Sequence, residues 1–143
     1  MYTPHTVTIY NVREDSNLSP VNNTTVLMGV FYEASKGVNV RTSGLENADS
    51  VNLYIPFNVV AVDGETGHKK KYVPAAEYNN LEDVTDFWTL QADESCFFVK
   101  GAHSEPRATF KAVNASYDAH RITKVDAKDF GSPALQHWEV GGA

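Results

Sequence analysis

Apolar and polar residues alternate along several short stretches of this chain. A two-residue period is typical of β-strands that bury one face, because successive side chains point to opposite sides of a sheet. Residues 6–10 and 50–56 show the cleanest alternation and predict two such strands. The apolar positions that the strand patterns place in the core are Val7, Ile9, Val51, Leu53, Ile55, Phe98 and Ile122.

The remaining strands are predicted from β-branched or apolar runs that lie between turn-forming residues. Residues 24–33 are too apolar for a one-sided edge strand, which predicts a central strand. Residues 38–42 alternate again and predict the hairpin partner of that strand. Residues 59–62 are interpreted as a prolongation of the strand at 50–56, and further short strands are predicted at residues 71–74, 88–90, 95–100, 108–112 and 118–126.

Helix is predicted chiefly over residues 74–81, because proline suits a first helical turn. The stretch 108–112 is interpreted as a strand, with a short helix as the alternative. About eight short strands with at most one or two short helices predict a mainly β fold, either a small antiparallel barrel or a sandwich. The length of 143 residues suits a single domain over residues 1–143.

The C-terminal segment is apolar where a chain end is usually polar and frayed. Gly131 and Pro133 favour a turn, since glycine adopts positive φ and proline fixes its own φ. We therefore expect residues 134–140 to pair as a strand beside residues 119–125. Trp138 would then pack at an interface, either within the domain or with another subunit.

The balance of acidic and basic residues limits the kinds of molecule that the protein is expected to bind. The chain has 18 acidic and 12 basic residues, a formal net charge of −6, which disfavours a generic nucleic-acid-binding domain because such a domain needs a basic face. The run at residues 69–71 is either a solvated loop or a phosphate contact. The candidate interface residues are Lys69, Lys70, Lys71 and Trp138.

Candidate chemistry is sparse. The single cysteine, Cys96, excludes an internal disulfide and a multi-cysteine metal site, and its apolar neighbours favour a buried thiol. The sequence contains no His-Glu-x-x-His motif, no Gly-x-Ser-x-Gly motif and no glycine-rich nucleotide loop. We therefore expect no catalytic residues, no metal site and no cofactor. It also contains no apolar run of membrane-spanning length and no N-terminal leader pattern, so a soluble protein made in the cytoplasm is expected.

Five stretches, taken in order, resemble a family of small head–tail connector proteins of tailed phages and prophages of Gram-positive bacteria. They are residues 7–11, residues 48–57, residues 87–91 with 98–101, the sequence Asp-Phe-Gly-Ser-Pro at 129–133 and the sequence His-Trp-Glu-Val-Gly-Gly at 137–142. The resemblance implies a structural protein of the virion neck, the stack of rings between portal and tail. It also implies a head-completion or stopper-type role and assembly as a homo-oligomeric ring.

The same resemblance implies the partners. Portal or adaptor proteins would lie on one side of the ring and tail proteins on the other. DNA would pass through the lumen at most, without sequence-specific binding, and no membrane would be involved. The polar segments at residues 13–23, 63–71 and 101–107 are expected to be loops that reach neighbouring rings or the lumen.

Two alternatives belong to other classes. A carbohydrate-binding or host-receptor-binding β-module of the phage tail would bind glycans as an isolated monomer. A hydrolase would need a pocket that joins at least two of Asp83, Asp86, His120, His137 and Glu139, and His120 and His137 lie on adjacent predicted strands where they could meet. The large aromatic residues that are either core residues or ring-interface anchors are Phe31, Phe57, Trp88 and Trp138.

Overall fold

The computed structural model describes residues 3–14, 20–35, 38–41, 44–47, 50–93, 95–103 and 109–143. The strands are β1 (His5–Glu14), β2 (Pro20–Ser35), β3 (Val38–Arg41), β4 (Gly44–Asn47), β5 (Ser50–Pro56), β6 (Val60–Asp63), β7 (Lys71–Tyr72), β8 (Phe87–Trp88), β9 (Cys96–Lys100), β10 (Ala119–Lys128) and β11 (His137–Gly142). The helices are α1 (Ala75–Tyr78) and α2 (Phe110–Ser116), and Pro133–Leu135 forms a short 3₁₀ turn. The predicted mainly β fold is therefore confirmed.

Six antiparallel strands close into a barrel, in the order β1-β9-β10-β11-β5-β2 and back to β1. Closure depends on β2, whose residues 20–30 pair with β1 and whose residues 31–35 pair with β5. The register with β1 skips Gly29, which has a φ of 93°. A glycine in this left-handed region is the usual residue of a β-bulge, and a bulge bends the strand. Gly29 thus marks the point where β2 leaves β1 and turns toward β5.

The core lies inside the barrel and is made by the predicted alternation. All seven residues predicted to be buried are at most 3% exposed, and they belong to one contiguous cluster. Along β5 the buried positions alternate with more exposed ones, as the two-residue period requires. The predicted core is confirmed.

The segment between β6 and β9 closes one end of the barrel. Trp88 and Leu90 join the barrel core, and Asn11 on β1 holds the same segment through hydrogen bonds with the backbone of Thr89. Within the segment, a second small core forms around Tyr78. The predicted helix of this segment exists, but it is limited to α1.

The stretch interpreted as a strand at residues 108–112 is a helix instead, and residue 108 lies outside the described part of the chain. Thr109 caps α2 by accepting a hydrogen bond from the Ala112 N–H at Oγ1 (3.1 Å). Val113 then packs on Tyr10 and Phe97 on the outside of the barrel. The cap and the packing of Val113 both favour a helix here, and the alternative of a short helix is correct.

The C-terminal strand β11 is one of the six strands that form the barrel wall. β11 pairs with β10 on one side and with β5 on the other. The predicted pairing with the preceding strand is confirmed, but it joins residues 137–142 to residues 122–128. The 3₁₀ turn at Pro133–Leu135 occupies the residues that were expected to begin the strand.

Candidate functional site

A two-stranded β-ribbon continues from the barrel at the C-terminal end of β2. The β2–β5 pairing runs to Ser35 and Ser50, and β3 and β4 continue in the same register, from Val38 opposite Asn47 to Arg41 opposite Gly44. Within the described residues, β3 and β4 pair only with each other. Among the described residues, β3 and β4 therefore form a two-stranded ribbon in the register of the β2–β5 pair, with no third strand beside it. We call β3 and β4 the distal ribbon.

A second ribbon extends from the N-terminal end of β2. The pairing of β1 with β2 continues to Glu14 opposite Pro20, whereas the pairing of β1 with β9 ends at Asn11. The strand β6 pairs with β2 only over residues 25–28. We call residues 12–14 and 20–22 the proximal ribbon. Residues 13, 14 and 20–23 of the predicted loop at 13–23 belong to the strands β1 and β2, so the prediction of a loop is wrong for them. Residues 15–19 lie outside the described part of the chain.

These two ribbons are suited to contact other protein chains. The edge of a strand carries unpaired N–H and C=O groups that pair readily with another strand. A two-stranded ribbon without further packing is only marginally stable in water. The two ribbons leave opposite ends of the same 16-residue strand. A partner strand on each of two sides of the barrel would pair with the backbone N–H and C=O groups at these edges.

The structure divides the predicted basic run. Lys69 and Lys71 are exposed, whereas Lys70 is only 8% exposed and its side chain is completely buried. Lys69 forms an isolated β-bridge with Val62, and the Lys70 N–H donates to Ala61 O (2.9 Å), so this short stretch lies along β6. The surface available for a phosphate or protein contact in this run is thus limited to Lys69 and Lys71.

Lys70 forms a buried polar cluster with β2 and β6. Its Nζ donates to Asn23 Oδ1, to Thr24 O (2.8 Å) and to Thr25 Oγ1 (3.2 Å), and it lies 3.0 Å from Asp63 Oδ1. Burial lowers the pKa of Lys70, against the opposing effect of Asp63. This cluster fastens the loop after β6 to the barrel.

Asp63 also organises the turn at residues 63–68. Its Oδ2 accepts hydrogen bonds from the N–H groups of Glu65 (2.9 Å) and Thr66 (2.8 Å). Burial alone would raise the pKa of Asp63, but these hydrogen bonds and Lys70 together lower it to about 2. Sequence analysis did not predict the roles of Asp63 and Asn23. Asn23 lies at the end of a polar stretch that is typical of a loop, and nothing local indicates its partner.

The candidate aromatic residues separate into core and surface. Trp138 is 8% exposed and packs against Phe57 (ring centroids 4.5 Å apart), Tyr72 (4.4 Å) and Trp88 (5.8 Å). It lies within the domain, where little of its surface is left for another subunit. Phe31 is half-buried and contacts the rings of His5 and Tyr54.

Among the residues of the hydrolase alternative, the structure brings His137 and Glu139 together, but it does not bring His120 and His137 together. His120 lies at the start of β10 and His137 at the start of β11, which places them at opposite ends of an antiparallel pair. His137 Nε2 lies 3.1 Å from Glu139 Oε1, and His120 Nε2 lies 3.6 Å from Asp118 Oδ2. Asp86 contacts His68 instead (3.1 Å). The expectation that the two histidines meet across a ladder is wrong.

Cys96 has the buried position that its sequence context predicts. The thiol is fully buried, and this burial raises its pKa to about 12. Nucleophilic cysteines require the opposite shift, because the thiolate is the reactive form. Among the described residues, no three His, Cys, Asp or Glu side chains are close enough together to hold a metal ion. No helix in the same part of the chain is long and apolar enough to span a membrane.

The fold and these surfaces define a class: a small closed β-barrel with a capped end and two β-ribbons that leave it at opposite ends of one strand. The chain belongs to a family of unknown function, DUF6751, whose model matches residues 2–143. Searches of curated proteins and of solved structures found no match.

Proposed function

We propose that this protein is a structural component of the neck of a tailed phage or prophage. It would form a homo-oligomeric ring of the head-completion or stopper type between the portal side and the tail side. DNA would pass through the lumen of the ring at most, without sequence-specific binding. The sequence resemblance to head–tail connector proteins motivates this assignment.

The observation that best supports the proposal is the position of the two ribbons. A connector subunit needs contacts with a protein above it, a protein below it and its neighbours in the ring. The proximal and distal ribbons begin at opposite ends of β2, and among their described residues neither ribbon pairs with a third strand, although the Val12 N–H donates to Ser95 O (2.8 Å). Weak contacts of this kind gain strength when a ring repeats them.

The charge of the chain is consistent with this role. A net charge of −6 reduces non-specific attraction to the DNA backbone. A protein that lines a DNA passage benefits from this property, since DNA must move past it during packaging and ejection.

The first experiment asks whether the protein is in the virion. Particles are purified from a lysogen that carries the gene, and their proteins are identified by mass spectrometry and located in a density map. We expect the protein in a ring between portal and tail. Its absence from complete particles would refute the proposal, and glycan binding by the isolated monomer would favour a receptor-binding module instead.

The second experiment tests the distal ribbon. Residues 36–49 are replaced by a two-residue turn that joins Ser35 to Ser50, and the matched control replaces them with a glycine-serine segment of the original length. We expect both variants to keep the melting temperature of the barrel and to lose ring assembly or particle completion. If both variants complete particles as the natural protein does, the distal ribbon has no connecting role.

A further inference from the structure

The buried cluster around Lys70 brings an amine, a carboxamide and a carboxylate together. The side chain of Lys70 is 0% exposed, Asn23 is 6% exposed, and Asp63 Oδ1 lies 3.0 Å from Lys70 Nζ. Lys70 Nζ also contacts the side-chain oxygen of Asn23 directly. Surface lysines rarely keep such neighbours, because a solvated ammonium group has many alternatives.

We propose that Lys70 and Asn23 become joined by an intramolecular isopeptide bond, with Asp63 as the group that transfers the protons. The Cγ atom of Asn23 lies one C=O bond, about 1.2 Å, beyond the oxygen that Nζ contacts. The contact with the carbonyl oxygen thus holds the amine next to the carbonyl carbon that it would attack. Both groups are held by the barrel wall and its cap.

The reaction is a transamidation. After one proton passes from Lys70 to Asp63, the neutral amine attacks Asn23 Cγ and forms an Nζ–Cγ bond. The tetrahedral intermediate then breaks the Cγ–Nδ2 bond. Of the three hydrogens of the ammonium group, one stays on the new amide nitrogen. The second moves within the tetrahedral intermediate from Nζ to Nδ2, which departs as ammonia. The third, which Asp63 has taken up, joins the ammonia as it leaves, so that ammonium is released and Asp63 is ionised again. Nothing is oxidised or reduced, and no co-reactant is needed.

The surroundings of the leaving group fix the orientation of Asn23. Its Nδ2 lies within hydrogen-bond distance of Phe87 O (2.7 Å), Val84 O (3.1 Å) and the Tyr78 hydroxyl (3.1 Å). The two carbonyls accept hydrogen bonds, so the amide nitrogen must face the cap. The Asn23 oxygen therefore faces Lys70, and the departing nitrogen lies on the other side of Cγ.

Burial also favours the reactive form of the amine. Desolvation lowers the pKa of Lys70, although Asp63 opposes this shift. The hydrogen bonds that Asp63 accepts keep its own pKa low. The state in which Lys70 is neutral and Asp63 is protonated is therefore a minor fraction of the folded protein. A minor state is sufficient, because the reaction occurs once per chain and the loss of ammonia makes it irreversible.

The bond would connect two residues that are 47 positions apart, one on β2 and one beside β7. It would fasten the cap covalently to the barrel wall. A cross-link of this kind restricts the unfolded chain and resists pulling on the folded one, as a disulfide does in other proteins. It would serve a virion protein under mechanical load, but the bond itself does not depend on the proposed function.

The test is the intact mass of the purified full-length chain under denaturing conditions. We expect the natural protein to be lighter than its sequence by one ammonia molecule, and a protease digest to contain a branched peptide that joins Asn23 to Lys70. Lys70→Arg and Asp63→Asn should both have the full mass expected from their sequences. Asn23→Ala, which removes the carbonyl carbon that the amine attacks, should also have the full mass expected from its sequence.

The controls separate the missing bond from misfolding. Each variant is examined by circular dichroism, and Lys71→Arg, which changes the exposed neighbour of Lys70, should keep the ammonia loss. If Asp63→Asn does not fold, Asp63→Glu provides the second test of the proton-transferring group and should slow or abolish the linkage. The full sequence mass in the folded natural protein would overturn the proposal, as would a loss of ammonia without the branched peptide.

Discussion

Trp88 and Trp138 meet edge to face, with ring centroids 5.8 Å apart and ring planes at 76°. Trp138 belongs to the barrel wall on β11, whereas Trp88 belongs to the segment that caps the barrel. Wall and cap therefore share one aromatic cluster, which Phe57 and Tyr72 complete. Because the two tryptophans are 1% and 8% exposed, this cluster is part of the hydrophobic core.

The first prediction follows from this cluster. Trp138→Ala should lower the free energy of unfolding by about 3–5 kcal/mol, because it removes a large buried ring and leaves a cavity between wall and cap. Chemical denaturation measures this change. Leu135→Ala is the matched control, since Leu135 is three residues away and 54% exposed, and it should change stability by no more than about 0.5 kcal/mol. Similar losses in the two variants would contradict the burial of Trp138.

The local alternation of apolar and polar residues was sufficient to predict the core positions in the strands of the barrel wall. Val51, Leu53 and Ile55 alternate with polar residues, and this period is a property of the strand itself. The helix α2 was predicted only as the alternative to a strand, because Phe110 and Val113 resemble strand residues by type. The cap, in which the Ala112 N–H donates to Thr109 Oγ1, and the packing of Val113 both favour the helix.

The candidate sites were harder to predict because they depend on distant partners. Lys70 is part of a run of three lysines that is typical of an exposed loop, and its burial depends on Asn23 and Asp63. Residues 38–42 were predicted to be the hairpin partner of the long strand β2, and this is wrong, because the described part, β3, pairs with β4 in the register of the β2–β5 pair. The periodicity of a single strand's sequence does not determine the register in which that strand pairs with another.

The second prediction concerns the two glycines at the end of β11. A Cβ atom at Gly142 would lie 2.6 Å from the Phe98 ring, whereas one at Gly141 would lie 3.3 Å from its nearest neighbour, Thr123 Oγ1. Gly142→Ala should therefore destabilise the barrel by about 1–3 kcal/mol, which is typical of overpacking. Gly141→Ala should have a clearly smaller effect. Thermal or chemical denaturation compares the two, and equal stabilities would contradict this packing.

The third prediction tests closure of the barrel. Deleting residues 134–143 removes β11, which supplies the hydrogen bonds to both β10 and β5. It also removes the buried ring of Trp138. We expect the truncated chain to lose cooperative unfolding, measured by circular dichroism during thermal denaturation.

A smaller deletion provides the control for the truncation. Removing Ala143 alone eliminates two backbone hydrogen bonds with Arg121 (2.9 and 3.0 Å) and leaves the β11 ladder in place. This variant should unfold cooperatively at a slightly lower temperature. A truncated chain that keeps the melting temperature of the full chain would show that β11 is not needed to close the barrel.

The last prediction uses the pH dependence of Cys96. Burial raises the pKa of its thiol from 9.0 to about 12 in the folded protein. Between these two values the unfolded chain has lost a proton that the folded chain keeps, so the free energy of unfolding should fall as the pH rises from about 9 toward 12. Cys96→Ala should flatten this part of the profile, although the smaller side chain lowers stability at every pH.

At pH 8 the native thiol should also resist alkylation and react only after denaturant is added. Rapid labelling of the folded protein would show that the thiol is accessible, and an unchanged pH profile in the variant would show that Cys96 does not cause the loss.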